Sequence, residues 1–152
     1  MTDLTIRTLE ATSTIPGETL TAFRGKLRGF AALAGEDGYD AARTIWNAMV
    51  DRHPALVVRC LGAADVIEAV KLARDHNLLV AVRAGGHNIA GNAVCDGGLL
   101  IDLSLMKSVR VDPASRTARV EPGAMLADFD REAQAFGLAT RSASTRRPAS
   151  PA

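Results

Sequence analysis

The residues best suited to chemistry lie together in one short stretch, Arg83-Ala84-Gly85-Gly86-His87-Asn88-Ile89-Ala90-Gly91. It holds three glycines and a histidine, and it directly follows an apolar run. A glycine-rich turn just past a buried strand lets several backbone N–H groups converge on an anion, so a diphosphate could rest there without any side chain. His87 adds a nitrogen that could act as base or nucleophile. By spacing alone this signal is weak, and an ordinary tight turn is the favoured reading of the stretch. The G-x-G-x-x-G pattern is not matched and no helical pattern follows, which disfavours a Rossmann fold.

Other reactive constellations are poorly supported. Cys60 and Cys95 are the two cysteines, too few for a disulfide scaffold, and they read as reduced thiols. Cys95 sits in a loop without a His–Asp partnership around it, so an inert thiol is expected. His53, His76 and His87 show none of the spacings of a zinc site.

The elements that must position the loop follow from periodicity. Leu20, Phe23, Leu27, Phe30 and Ala31 predict a helix over 17–33, and Ala42, Ile45, Trp46 and Met49 a second over 39–50 with Trp46 in the core. Residues 55–61 and 78–83 are β-branched or apolar runs that read as buried strands. The stripe Val66, Ala69, Val70 and Ala73 between them reads as a helix, giving a βαβ unit with parallel strands and a right-handed crossover. Residues 99–103 form a further strand. Residues 108–111 and 117–120 flank a turn at Asp112-Pro113 and should pair as a hairpin, followed by a helix over 125–136 closed by Gly137. Fold class is therefore α+β, a βαβ start plus a small mixed sheet.

Lys and Arg number 18 against 17 for Asp and Glu in 152 residues, so no net charge recruits nucleic acid or an anionic membrane. A small-molecule partner is expected. No run of about eighteen apolar residues is present, and the polar start resembles no secretory signal, so a cytoplasmic location is the default expectation.

Arg83 to Gly91, followed by Asp96-Gly97-Gly98-Leu99-Leu100-Ile101-Asp102-Leu103-Ser104, resembles the PCMH-type FAD-binding domain of berberine-bridge-enzyme-like, vanillyl-alcohol-oxidase-type flavoproteins. The resemblance extends to Trp46-Asn47, to Arg52 through Cys60 and to the Glu121-Pro122-Gly123 turn, and covers residues 39–140. It implies a flavin-dependent oxidoreductase acting on an alcohol, sugar or similar substrate. It further implies that Arg83, Ala84, Gly85, Gly86, His87, Asn88 and Gly91 surround the FAD diphosphate. His87 would carry a covalent link to the flavin, and Asp102 and Ser104 would support the pocket. Residues 1–38 would then be a helical lead-in and 39–140 the first lobe of the domain.

Members of this family are several hundred residues long, with a second lobe and a substrate domain that this chain lacks. The chain alone is therefore expected to be inactive, either a non-functional fragment or a non-catalytic flavin-binding module. Residues 141–152 contain no Leu, Val, Ile or aromatic residue and are expected to be disordered. Relatives carry at this point something like Pro-Leu-Gly-Ile-Asn-Ser-Thr-Thr-Gly-Val-Ala-Gly. With suitable synonymous codons and its first base dropped, that stretch encodes the observed tail, so an out-of-frame ending is expected.

Overall fold

The computed structural model describes residues 2–140; the expectations for the tail at 141–152 fall outside them. Strands β1 (Leu4–Arg7) and β2 (Thr12–Ile15) form an antiparallel hairpin. Alternation along the two strands turns Ile6 and Ile15 into the core. Helix α1 (Gly17–Arg24) starts after Pro16 and buries Leu20 and Phe23.

The helix predicted over 17–33 ends early, because residues 30–32 are strand β3 (Phe30–Ala32). Their apolar spacing fits either period, and a distant residue decides the outcome. The buried Asp65 carboxylate accepts the N–H groups of Arg28 at 2.9 Å, Gly29 at 3.1 Å and Leu61 at 2.8 Å. Gly29 lies so close to the Arg59 carbonyl that any Cβ would collide with it. Residues 1–38 are thus a hairpin, a helix and a strand of the main sheet, where a helical lead-in was expected. Ile6, Ile15, Leu20 and Phe23 share one core with Leu56 and Val58.

The helix predicted over 39–50 shortens to α2 (Tyr39–Arg43), since Thr44 is extended at ψ 125°. Strand β4 (Leu56–Arg59), helix α3 (Ala63–Asp75), strand β5 (Val80–Arg83) and strand β6 (Leu99–Asp102) follow. The main sheet has the order β3-β4-β6-β5. β4 and β5 are parallel, as the βαβ reading required, but β6 lies between them and pairs parallel with both. β5 is consequently an edge strand with Val82 53% exposed, whereas the sequence predicted a buried one. Leu56, Val58, Leu99 and Ile101 pack on one side of the sheet, and Val57, Leu100 and Ala81 on the other. Burial on both faces explains why β4 and β6 read as continuous apolar runs.

The expected hairpin forms from β7 (Val109–Asp112) and β8 (Thr117–Val120). The Asp112 carboxylate closes its turn by accepting from the Ala114 and Ser115 N–H groups and the Ser115 hydroxyl. Helix α4 (Leu126–Gln134) begins where Asp128 accepts the Met125 N–H at 3.0 Å. No helix among the described residues is long and apolar enough to cross a membrane.

Candidate functional site

The register of the main sheet brings Arg59, Asp102 and Arg83 side by side at the carboxyl ends of β4, β6 and β5. Crevices outside the carboxyl ends of parallel strands are where open sheets bind ligands. Asp102 is 0% exposed. Its carboxylate takes a hydrogen bond from Arg59 Nε at 2.8 Å and from the Ser104 N–H at 3.0 Å, with Arg83 Nη1 at 3.6 Å. Arg59 Nη2 also donates to Ser104 Oγ at 3.1 Å. Two guanidiniums therefore share one carboxylate, and one positive charge is left over in a partly desolvated place.

Arg83 does a second job. Its Nη1 donates to the Ala42 carbonyl at the end of α2, which ties that short helix to the sheet. Its Nε is buried without a partner among the described residues.

Directly after Arg83 the chain enters the glycine stretch. Gly86 has φ +68°, a left-handed conformation that side-chain-bearing residues adopt only under strain. Its carbonyl accepts the Trp46 N–H at 3.1 Å. Asn88 closes the following turn, its carbonyl accepting from the Gly91 N–H and its Oδ1 from the Asn92 N–H. The Gly91 carbonyl in turn accepts from Arg52 Nη1 at 3.3 Å. Among the described residues no group accepts a hydrogen bond from the N–H groups of Gly85, Gly86, His87 or Asn88.

A cleft of about 1280 Å³ opens over this loop. Of the residues singled out in the sequence, Arg83, Ala84, Gly85, His87 and Ser104 line it. Gly86 and Asp102 are buried, Gly91 packs against Val50, and Asn88 is exposed at the turn. Sequence reasoning missed three contributors: Arg59 on the floor, Trp46 on the rim, and the Pro122–Ala124 turn with the start of α4 on the far wall. The signal for Arg59 was its place at the end of β4, level with Asp102. Trp46 is corrected from core to surface, being 67% exposed with its ring centroid 6.2 Å from that of His87.

The cysteines stay outside this chemistry. Burial, reinforced by Asp65 and Asp102, pushes the Cys60 thiol up to about 12. Burial likewise raises Cys95. Neither forms the thiolate a nucleophile needs. Among the described residues no group of three or more His, Cys, Asp or Glu side chains could hold a metal.

Comparison with known proteins identifies the family. Residues 54–150 match the family model for the FAD binding domain. The chain is 41% identical over 113 residues to (R)-6-hydroxynicotine oxidase of Paenarthrobacter nicotinovorans, covering 74% of this chain and 25% of that protein. It is 43% identical over 93 residues to a FAD-linked oxidoreductase of Dictyostelium discoideum, covering 61% of this chain and 20% of the relative. The crystal structure of 6-hydroxy-D-nicotine oxidase from Arthrobacter nicotinovorans superposes with TM-score 0.68 at 40% identity over 73% of this chain and 24% of that one. Physcomitrella patens BBE-like 1 superposes with TM-score 0.58 at 28% identity, covering 67% and 22%. The chain thus spans about a quarter of the length of these relatives.

The residues present suit FAD. The N–H groups of Gly85 through Asn88, without an acceptor among the described residues, and the surplus positive charge of Arg59 and Arg83 complement a diphosphate, and the cleft has room for the rings. With its glycine loop inside the matched stretch and a donor set that fits the cofactor, this chain belongs to the FAD-binding domain family of FAD-linked oxidoreductases.

Proposed function

We propose that the chain is the FAD-holding first lobe of a flavin-dependent oxidoreductase acting on an alcohol, sugar, amine or similar substrate, with β3 of residues 1–38 an integral strand of that lobe. The observation that carries this reading is that, among the described residues, the N–H groups of Gly85 through Asn88 find no acceptor, in a loop whose Gly85 and His87 line the cleft together with Arg59 and Arg83. In this reading the backbone from Ala84 to Asn88 holds the diphosphate. Arg83 and Gly91 shape the two ends of the loop, and Asp102 with Ser104 holds Arg59 and Arg83 beneath it.

FAD, when bound, supplies the acceptor for the substrate's hydride. What this chain's residues contribute is placement. His87, exposed on the rim of the cleft, is the nucleophile for a covalent link. His87 would hold the flavin ring through an imidazole nitrogen, and a covalent link there would keep the cofactor from being lost. In this reading the lobe binds cofactor and does not itself turn over substrate.

Calorimetric titration of the purified chain with FAD tests the binding site. Saturable binding that is lost in Gly85→Val, with the fold intact by circular dichroism, is the expected result. Equal affinity in the variant would place FAD elsewhere.

A further inference from the structure

Trp46 is the sole tryptophan of the chain and stands 67% exposed. Large aromatic side chains dominate cores and binding surfaces, and one left this open beside a cleft has apolar area awaiting a partner. Its exposure is built in. Thr44, extended after α2, reverses the chain so that Ile45 points inward and is buried while Trp46 turns out to the cleft. The backbone is then pinned on both sides of His87: the Trp46 N–H donates to the Gly86 carbonyl at 3.1 Å, and Asn47 Nδ2 donates to the Ile89 carbonyl at 3.0 Å. Met49 at 93% and Ile89 at 77% exposure are further exposed apolar side chains on the same two segments.

The Trp46 and His87 rings, 6.2 Å apart and tilted 33°, are within ring-contact range, yet the contact leaves Trp46 67% exposed. They leave a flat-sided, apolar edge next to the loop whose N–H groups suit phosphate. We propose that Trp46 is a specificity-determining residue, packing against the planar ring of the flavin so that the cleft selects FAD over nucleotides that carry only the adenosine and phosphates. This rests on the reading of the glycine loop as the diphosphate site. Arg83, Arg59 and the loop amides would hold ADP and FAD alike, so selectivity between them must come from a group beyond the phosphates, and Trp46 is the large aromatic on that rim.

The test uses the 152-residue chain with FAD and ADP as probes, their affinities measured by calorimetry in wild type, Trp46→Phe and Trp46→Ala. Because Trp46 is exposed, its replacement leaves the thermal midpoint unchanged, which circular dichroism checks. The expected result is a roughly tenfold loss of FAD affinity in Trp46→Ala, the scale of one aromatic stacking partner. Trp46→Phe recovers part of that loss, and ADP affinity is the same in all three. FAD, unlike ADP, also quenches wild-type tryptophan emission. Equal loss for FAD and ADP, or loss for neither, overturns the role of Trp46 while leaving the diphosphate site standing. Failure of the wild type to bind either probe overturns that site and this proposal together.

Discussion

Arg59 Nε lies 2.8 Å from Asp102 Oδ2, joining the last residues of two paired parallel strands through a carboxylate that has no access to water. Arg83 approaches the same carboxylate from the other side of β6 and reaches on to α2. A single buried charge therefore organises three strands, a helix and the start of the glycine loop. Removing one member of such a group leaves buried charge uncompensated.

Asp102→Ala is accordingly expected to cost about 3–5 kcal/mol of stability in urea unfolding, with Arg59→Met alone also destabilising. The double variant Arg59→Met, Asp102→Leu should lose less than the sum of its singles, because it removes charge and partner together. Strict additivity would show that the pair is not coupled.

Asp65 supplies a pH dependence. Burial alone would raise its carboxyl, but the N–H groups of Leu61, Arg28 and Gly29 more than offset this and hold it below the usual range. A carboxyl lowered in the folded state contributes stability that is fully present above its unfolded value, near pH 4, and is lost as pH falls through the folded value. Urea midpoints measured downward from pH 7 should therefore drop steeply below about pH 4 in the wild type. Asp65→Asn should be less stable at pH 7 and show a shallower acid limb. Identical acid limbs would remove Asp65 from the account.

Much of this was legible in the sequence, and the failures share a cause. β4, α3, β6, the β7–β8 hairpin and α4 declared themselves through their own periodicity and turns. The glycine loop was visible because its composition is unlike that of any regular element. Residues 28–32 were misread because Phe30 and Ala31 satisfy helical spacing, and only Asp65, more than thirty positions later, holds that segment as a strand. Trp46 was misread for the same reason: Arg83 caps α2 from across the sheet and ends the helix that would have buried it. The place of β6 between β4 and β5 is likewise a choice among pairings, which no local pattern encodes.

The loop itself yields a third expectation. Gly86 has φ +68°, and a Cβ there would lie 3.3 Å from Arg83 Nε. Gly86→Ala should cost about 1–3 kcal/mol through backbone strain, and it should weaken FAD binding by displacing the loop amides. Unchanged stability in thermal unfolding would mean that the loop relaxes freely.

Both thiols should be silent in the folded chain. With Cys60 raised to about 12 by burial and Cys95 raised in the same direction, a thiol-specific disulfide reagent at pH 8 should react with neither until urea unfolds the protein, and then with two equivalents. Rapid reaction in the absence of urea would show that the core opens locally around one of them.

The most direct test of the site as a whole is the intact mass and visible spectrum of the chain after expression with ample FAD, before and after acid precipitation. The account requires yellow protein that carries the mass of one flavin dinucleotide through acid and loses it in His87→Ala. Colourless protein at its bare mass, or acid-stable flavin that persists without His87, would contradict it.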